Sequence, residues 1–124
     1  MSTITNFGIE AEFEQARIKH LGFKSKLRGY LYGNGGDRAS IVEHDRCALG
    51  QWLLKIARDY EISNELQEVN YHHQHIHSVA RRLVELYDSG QQSEARDGFS
   101  EIEEVAKEML SSLDVAEIYL KENY

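Results

Sequence analysis

The chain has 124 residues, 41% hydrophobic and 10% aromatic, enough for one core of its own and too apolar for extended disorder. Its 14 Lys and Arg against 21 Asp and Glu give a formal charge of −7 with no basic run, so neither nucleic acid nor an anionic membrane surface is an expected partner. The lone cysteine excludes an internal disulfide, no stretch nears the ~18 consecutive apolar residues of a membrane span, and the first residues hold no export-type apolar segment. A single cytoplasmic domain over residues 1–124 is expected.

Proline is absent, which with abundant Glu, Leu, Ala, Lys, Arg and Gln favours long uninterrupted helices. The first is predicted over Asn6 to Leu31, capped by Thr5 or Asn6. Its apolar seam reads Ile9, Phe13, Ala16, Phe23, Leu27 and Tyr30, with alternating steps of four and three. One step of that seam lacks an apolar residue, and His20 stands there. Gly33-Asn34-Gly35-Gly36-Asp37 then stops the helix; without a Lys-Ser/Thr or a preceding strand it is no phosphate loop.

Ser40 to Arg46 reads as a short connector carrying Ile41, Val42 and His44. A shorter second helix is predicted over Cys47 to Tyr60, with Leu49, Leu53, Ile56 and Tyr60 on one side and Cys47 and Leu54 on a neighbouring stripe. Gly50 inside it costs about 1 kcal/mol relative to Ala, a cost that fits a close backbone approach to another helix. Trp52 is the expected core anchor. Ser63 caps a third helix whose seam runs Leu66, Val69, His73, Ile76, Ala80, Leu83, Tyr87, with His77 beside Ile76, and Ser89-Gly90 ends it. The fourth, Gln92 to Lys121, is regular through Ala95, Phe99, Ile102, Ala106, Met109, Leu113, Ala116 and Leu120 and offers no histidine or cysteine. The expected fold is all-α, an antiparallel four-helix bundle with a short second helix.

The polar residues on the seams carry the chemistry. Positions i and i+4 of a helix differ by about 40° in direction, so His73 and His77 face one ion from the same side, while His75 points away and His72 lies well off the face. A single histidine on an apolar stripe is usually an ordinary core residue. Three of them on two helices, with Cys47 on another, would be poorly solvated in a bundle core and need partners. One Zn²⁺ satisfies all four, with Zn–N ~2.0–2.1 Å and Zn–S ~2.3 Å. His44, three residues before Cys47, is the rival fourth ligand. Four protein ligands leave no open position for water, so no enzymatic hydrolysis is expected.

At these residues the sequence resembles the chemoreceptor zinc-binding (CZB) domain family: His20-Leu21-Gly22-Phe23, then Cys47-Ala48-Leu49-Gly50-Gln51-Trp52, then His73-x-x-Ile76-His77-x-x-Ala80. The Cys-x-Leu-Gly-x-Trp segment is the most specific, and Phe23 stands where the family more often has tryptophan. The resemblance implies a three-histidine, one-cysteine zinc site at His20, Cys47, His73 and His77 in a small dimeric helical bundle. It also implies a regulatory role rather than catalysis. Such domains sense zinc, and some members respond to oxidants through the zinc-bound cysteine, acting on a chemoreceptor or a diguanylate cyclase. Here the signal is expected to pass in trans. Ile18, Leu21, Leu86 and Tyr119 lie off the seams and are compatible with a homodimer interface. Two alternatives stand beside this reading: a hemerythrin-like di-iron oxygen-binding bundle, and a zinc-stabilised interaction scaffold. The first wants bridging carboxylates, and no Asp or Glu sits on the seams of the first, third or fourth helix.

Overall fold

The computed structural model describes residues 6–61 and 63–124, so the cap expected at Thr5 lies outside the described residues. The elements are α1 (Asn6–Leu31), α2 (Arg38–Val42), a 3-10 turn (His44–Arg46), α3 (Ala48–Tyr60), α4 (Asn64–Asp88), α5 (Gln92–Asp97) and α6 (Phe99–Asn123), with no strand among the described residues. The long helices α1, α4 and α6 and the shorter α3 make the four rods of the all-α bundle.

Side-chain pairs fix their directions. Lys121 meets Glu10, Arg17 meets Asp114 and Glu117, and Lys24 meets Glu103, so α1 and α6 run antiparallel. Tyr30 packs on Tyr87 and Phe23 on His77, which makes α1 and α4 parallel. Phe13 meets the Trp52 ring edge-on at 5.1 Å, and Glu12 accepts a 3.0 Å bond from the indole N–H and a 2.8 Å bond from Lys55. These contacts set the lower half of α1 against α3, whose 13 residues span only half the height of the bundle. The upper half of that fourth place is filled by α2 and the 3-10 turn.

The core follows the seams: Ile9, Phe13, Ala16 and Leu27 of α1, Leu49, Leu53, Ile56 and Tyr60 of α3, Leu66, Val69, Ile76, Ala80 and Leu83 of α4, and Ile102, Ala106, Met109, Leu113, Ala116 and Leu120 of α6 are buried. Four local expectations change. The connector is helical rather than irregular, because Ser40, Ile41 and Val42 turn inward and bury. At the end of α1 it is Leu31 that is fully buried, while Tyr30 stays half-exposed with its hydroxyl donating to Asp88 at 2.7 Å. Leu54 is 66% exposed, so no buried stripe joins it to Cys47. The predicted fourth helix breaks at Gly98, whose missing Cβ leaves room for Leu83 of α4; a Cβ there would lie 2.3 Å from the Leu83 Cδ2. Behind the break, Arg96 donates to the Leu31 carbonyl at 2.7 Å and ties α5 to the end of α1.

Candidate metal centre

Cys47 stands at the N-cap of α3 rather than within it, in an extended conformation (φ −86°, ψ 145°). Its sulfur is thereby placed at the end of α3, where unpaired backbone N–H groups favour a negatively charged ligand. Across from it α4 presents His73 and His77 one turn apart, and all three side chains are buried. One donor atom from each of Cys47, His73 and His77 lies within 4.8 Å of the others, the one such group of His, Cys, Asp or Glu among the described residues.

The hydrogen bonds around the group fix its protons. His77 Nδ1 lies 2.7 Å from the Ile41 carbonyl oxygen, which can only accept, so the Nδ1–H donates and Nε2 carries the lone pair. That Nε2 faces the His73 Nε2 at 3.1 Å. His73 Nδ1 is buried with no hydrogen-bond partner. If the two rings bonded each other directly, His73 would donate through Nε2 and leave a bare buried acceptor at Nδ1. A cation between the two lone pairs removes that conflict on the Nε2 side, and the 3.1 Å separation is close to the ~3.3 Å edge of a tetrahedron with Zn–N ~2.0–2.1 Å.

His20 on α1 is 2% exposed, and its Nε2 likewise has no hydrogen-bond partner. It is not among the three donors that converge, although it lies near enough to act electrostatically on His73. His44, on the 3-10 turn, is half-buried with its ring 6.2 Å from that of His73 and is also outside the converging group. His75 is exposed, and His72 turns to Glu68 and Glu108 at 3.4 and 3.7 Å. Neither belongs to the group.

All three buried imidazoles are held neutral, the form that ligates. Burial, helped by the Lys24 ammonium, pushes His20 down to about 4. Burial and then the neighbouring His77, His44 and His20 rings push His73 down to about 3. Burial pushes His77 to about 4 against the opposing effect of its bond to Ile41. Neutral imidazoles and a sulfur make a donor set suited to zinc and poorly suited to magnesium or calcium.

Three features lay beyond the sequence reading: the carbonyl that orients His77, what Gly50 is pressed against, and Glu117. The Ile41 carbonyl that orients His77 is a backbone group and has no residue signature. Gly50 is pressed not against another helix but against the 3-10 turn: a Cβ there would lie 1.8 Å from the His44 carbonyl oxygen and 3.2 Å from His73 Cε1. Its position inside a helix, one turn from Cys47, was the available signal. The buried Glu117, just off the α6 seam, was also missed; its carboxylate is taken by Arg17 at 2.7 Å and Lys121 at 3.0 Å.

No curated protein and no solved structure matches the chain. The chemoreceptor zinc-binding domain family matches it over residues 20–84, a span that runs from His20 past Cys47, His73 and His77. No helix among the described residues is long and apolar enough to cross a membrane. With more than half of its length matched, and the buried Cys-His-His group inside the matched span, the chain belongs to the chemoreceptor zinc-binding domain family.

Proposed function

We propose that residues 1–124 form a single zinc-binding sensory domain in which Zn²⁺ is held by Cys47, His73 and His77 with His20 as the fourth ligand. The observation that carries this is the convergence of three buried donors, Cys47, His73 and His77, near the buried His20, whose Nε2 lacks a partner. His20 supplies the fourth ligand by an inward shift of α1, which satisfies its orphaned Nε2 and closes the site to water. Zinc then joins α1, α3 and α4, and its loss frees them. That change is read by a partner in the cytoplasm, a chemoreceptor or a diguanylate cyclase acting in trans, and the domain itself catalyses nothing. It works as a homodimer, for which Ile18 and Leu21 are exposed at 52% and 61%, whereas Leu86 and Tyr119 pack against the core.

Elemental analysis of protein purified without chelator tests the site. About one zinc per chain is expected, falling below about a tenth in Cys47→Ala and His73→Ala and clearly reduced in His20→Ala. Zinc content unaltered by these substitutions overturns the assignment. Two irons per chain would instead favour the hemerythrin-like reading, which lacks support here: no carboxylate joins the three donors, and Glu117 is committed to its cations. The oxidant arm is tested separately by exposing loaded protein to a slight excess of hypochlorous acid. Prompt zinc release is expected, and full retention leaves Cys47 as a structural ligand only.

A further inference from the structure

His44 is the one histidine of the zinc layer that is only half-buried and makes no side-chain hydrogen bond among the described residues. Its ring lies edge-on to His73 at 6.2 Å between centroids. It lines two clefts open to solvent. One, of about 200 Å³, runs between α3 and α4 past Asp45, Gly50, Leu53 and Gln74. The other, of about 290 Å³, reaches Val42, Gln74, His77 and Arg81. The layer therefore meets the outside at His44 and, in the second cleft, at the edge of His77 beside it.

We propose that His44 is the relay through which zinc enters and leaves this site, binding the cation in transit and not at rest. The inference rests on the zinc-site reading above. Two imidazoles that share a zinc place their ring centroids about 5–6 Å apart, given Zn–N ~2.0–2.1 Å. The His44–His73 separation of 6.2 Å is just beyond that span, so the two rings bridge a cation once they close by a few tenths of an ångström or more. His44 nevertheless lies outside the group whose donors converge, so it does not compete for the resting site. Gly50 fixes this placement: only a residue without a Cβ lets the His44 carbonyl press onto α3 and bring its ring over His73. Zinc moves by exchange of one ligand at a time, and a relay imidazole replaces the water or the departing Cys47 or His73 donor midway. No bond order or oxidation state changes, and the cation keeps its charge throughout.

A group that binds only the intermediate state lowers the barrier equally in both directions and leaves the equilibrium where it was. The test is therefore kinetic. Zinc uptake by stripped protein and zinc loss to a strong chelator are followed by stopped flow with a chromophoric zinc indicator, and affinity is obtained by competition with the same indicator. His44→Ala is expected to slow uptake and loss together, each by about tenfold, with affinity held within about threefold. His75→Ala, an exposed histidine facing away, should leave both rates unchanged. Rates within twofold of the parent protein in His44→Ala overturn the relay. Faster loss with unchanged uptake, and a matching fall in affinity, also overturns it and makes His44 a resident ligand. A parent protein that takes up no zinc at all fails the underlying site reading, a result distinct from either. Circular dichroism melts of His44→Ala verify that the half-exposed substitution keeps the fold.

Discussion

At the scale of single residues, the site depends on what is missing as much as on what is present. Gly50 is where α3 and the 3-10 turn touch, backbone to backbone, with His73 next in line. Gly50→Ala is expected to cost at least about 2 kcal/mol in urea unfolding and to weaken zinc binding by about tenfold or more, because the turn carrying His44 must lift and the His73 ring must shift. An Ala variant with parental stability and affinity would show that the turn yields freely. The histidines were legible in the sequence because a polar residue on a strictly apolar seam interrupts its period, as His20 and His73 do. The partners that tune them were less so. The Ile41 carbonyl that locks the His77 proton belongs to the backbone, and which carbonyl meets which ring is decided by how far the connector folds inward.

Among elements, those with a long amphipathic period were readable and those shaped by neighbours were not. α1 ends where predicted, at Leu31, and α4 starts where predicted, behind Ser63, whose hydroxyl accepts from the Leu66 N–H at 3.2 Å. Ser63→Ala should cost about 1 kcal/mol in chemical denaturation, with zinc stoichiometry unchanged, since the cap lies far down α4 from His73. A loss of zinc in that variant would mean the start of α4 is coupled to the metal layer. α2 and the 3-10 turn are too short for a period to show, and the helicity of α2 comes from burying Ser40, Ile41 and Val42 against the bundle. The break between α5 and α6 has the same origin. An isolated glycine in a helical pattern reads as tolerated, and only the approach of Leu83 to Gly98 reveals why the axis turns there.

For the whole molecule, the three depressed histidines make the metal-free protein acid-sensitive. Their folded-state values of about 3 to about 4 lie below the ~6.5 of an unfolded histidine, so the unfolded chain takes up protons first as pH falls. Stability of the stripped protein should therefore be fully present above about pH 6.5 and decline as pH falls toward about 4, read as a falling midpoint in urea titrations. A flat profile across that window would show the histidines to be solvated. Adding zinc at a thousand times its dissociation constant should raise stability by about 4 kcal/mol at neutral pH, and acid should erase that gain because protonated imidazole cannot ligate.

The shortness of α3 has one more consequence. A bundle of four full-length rods would bury a mid-height ion behind complete walls, and exchanging it would require the rods to part. Here one wall stops at the level of Cys47 and is continued by the five residues of α2 and the 3-10 turn, so the proposed site is closed on that side by a thin strap. With zinc held as proposed, opening that strap alone would let the ion exchange while the rest of the bundle stays folded.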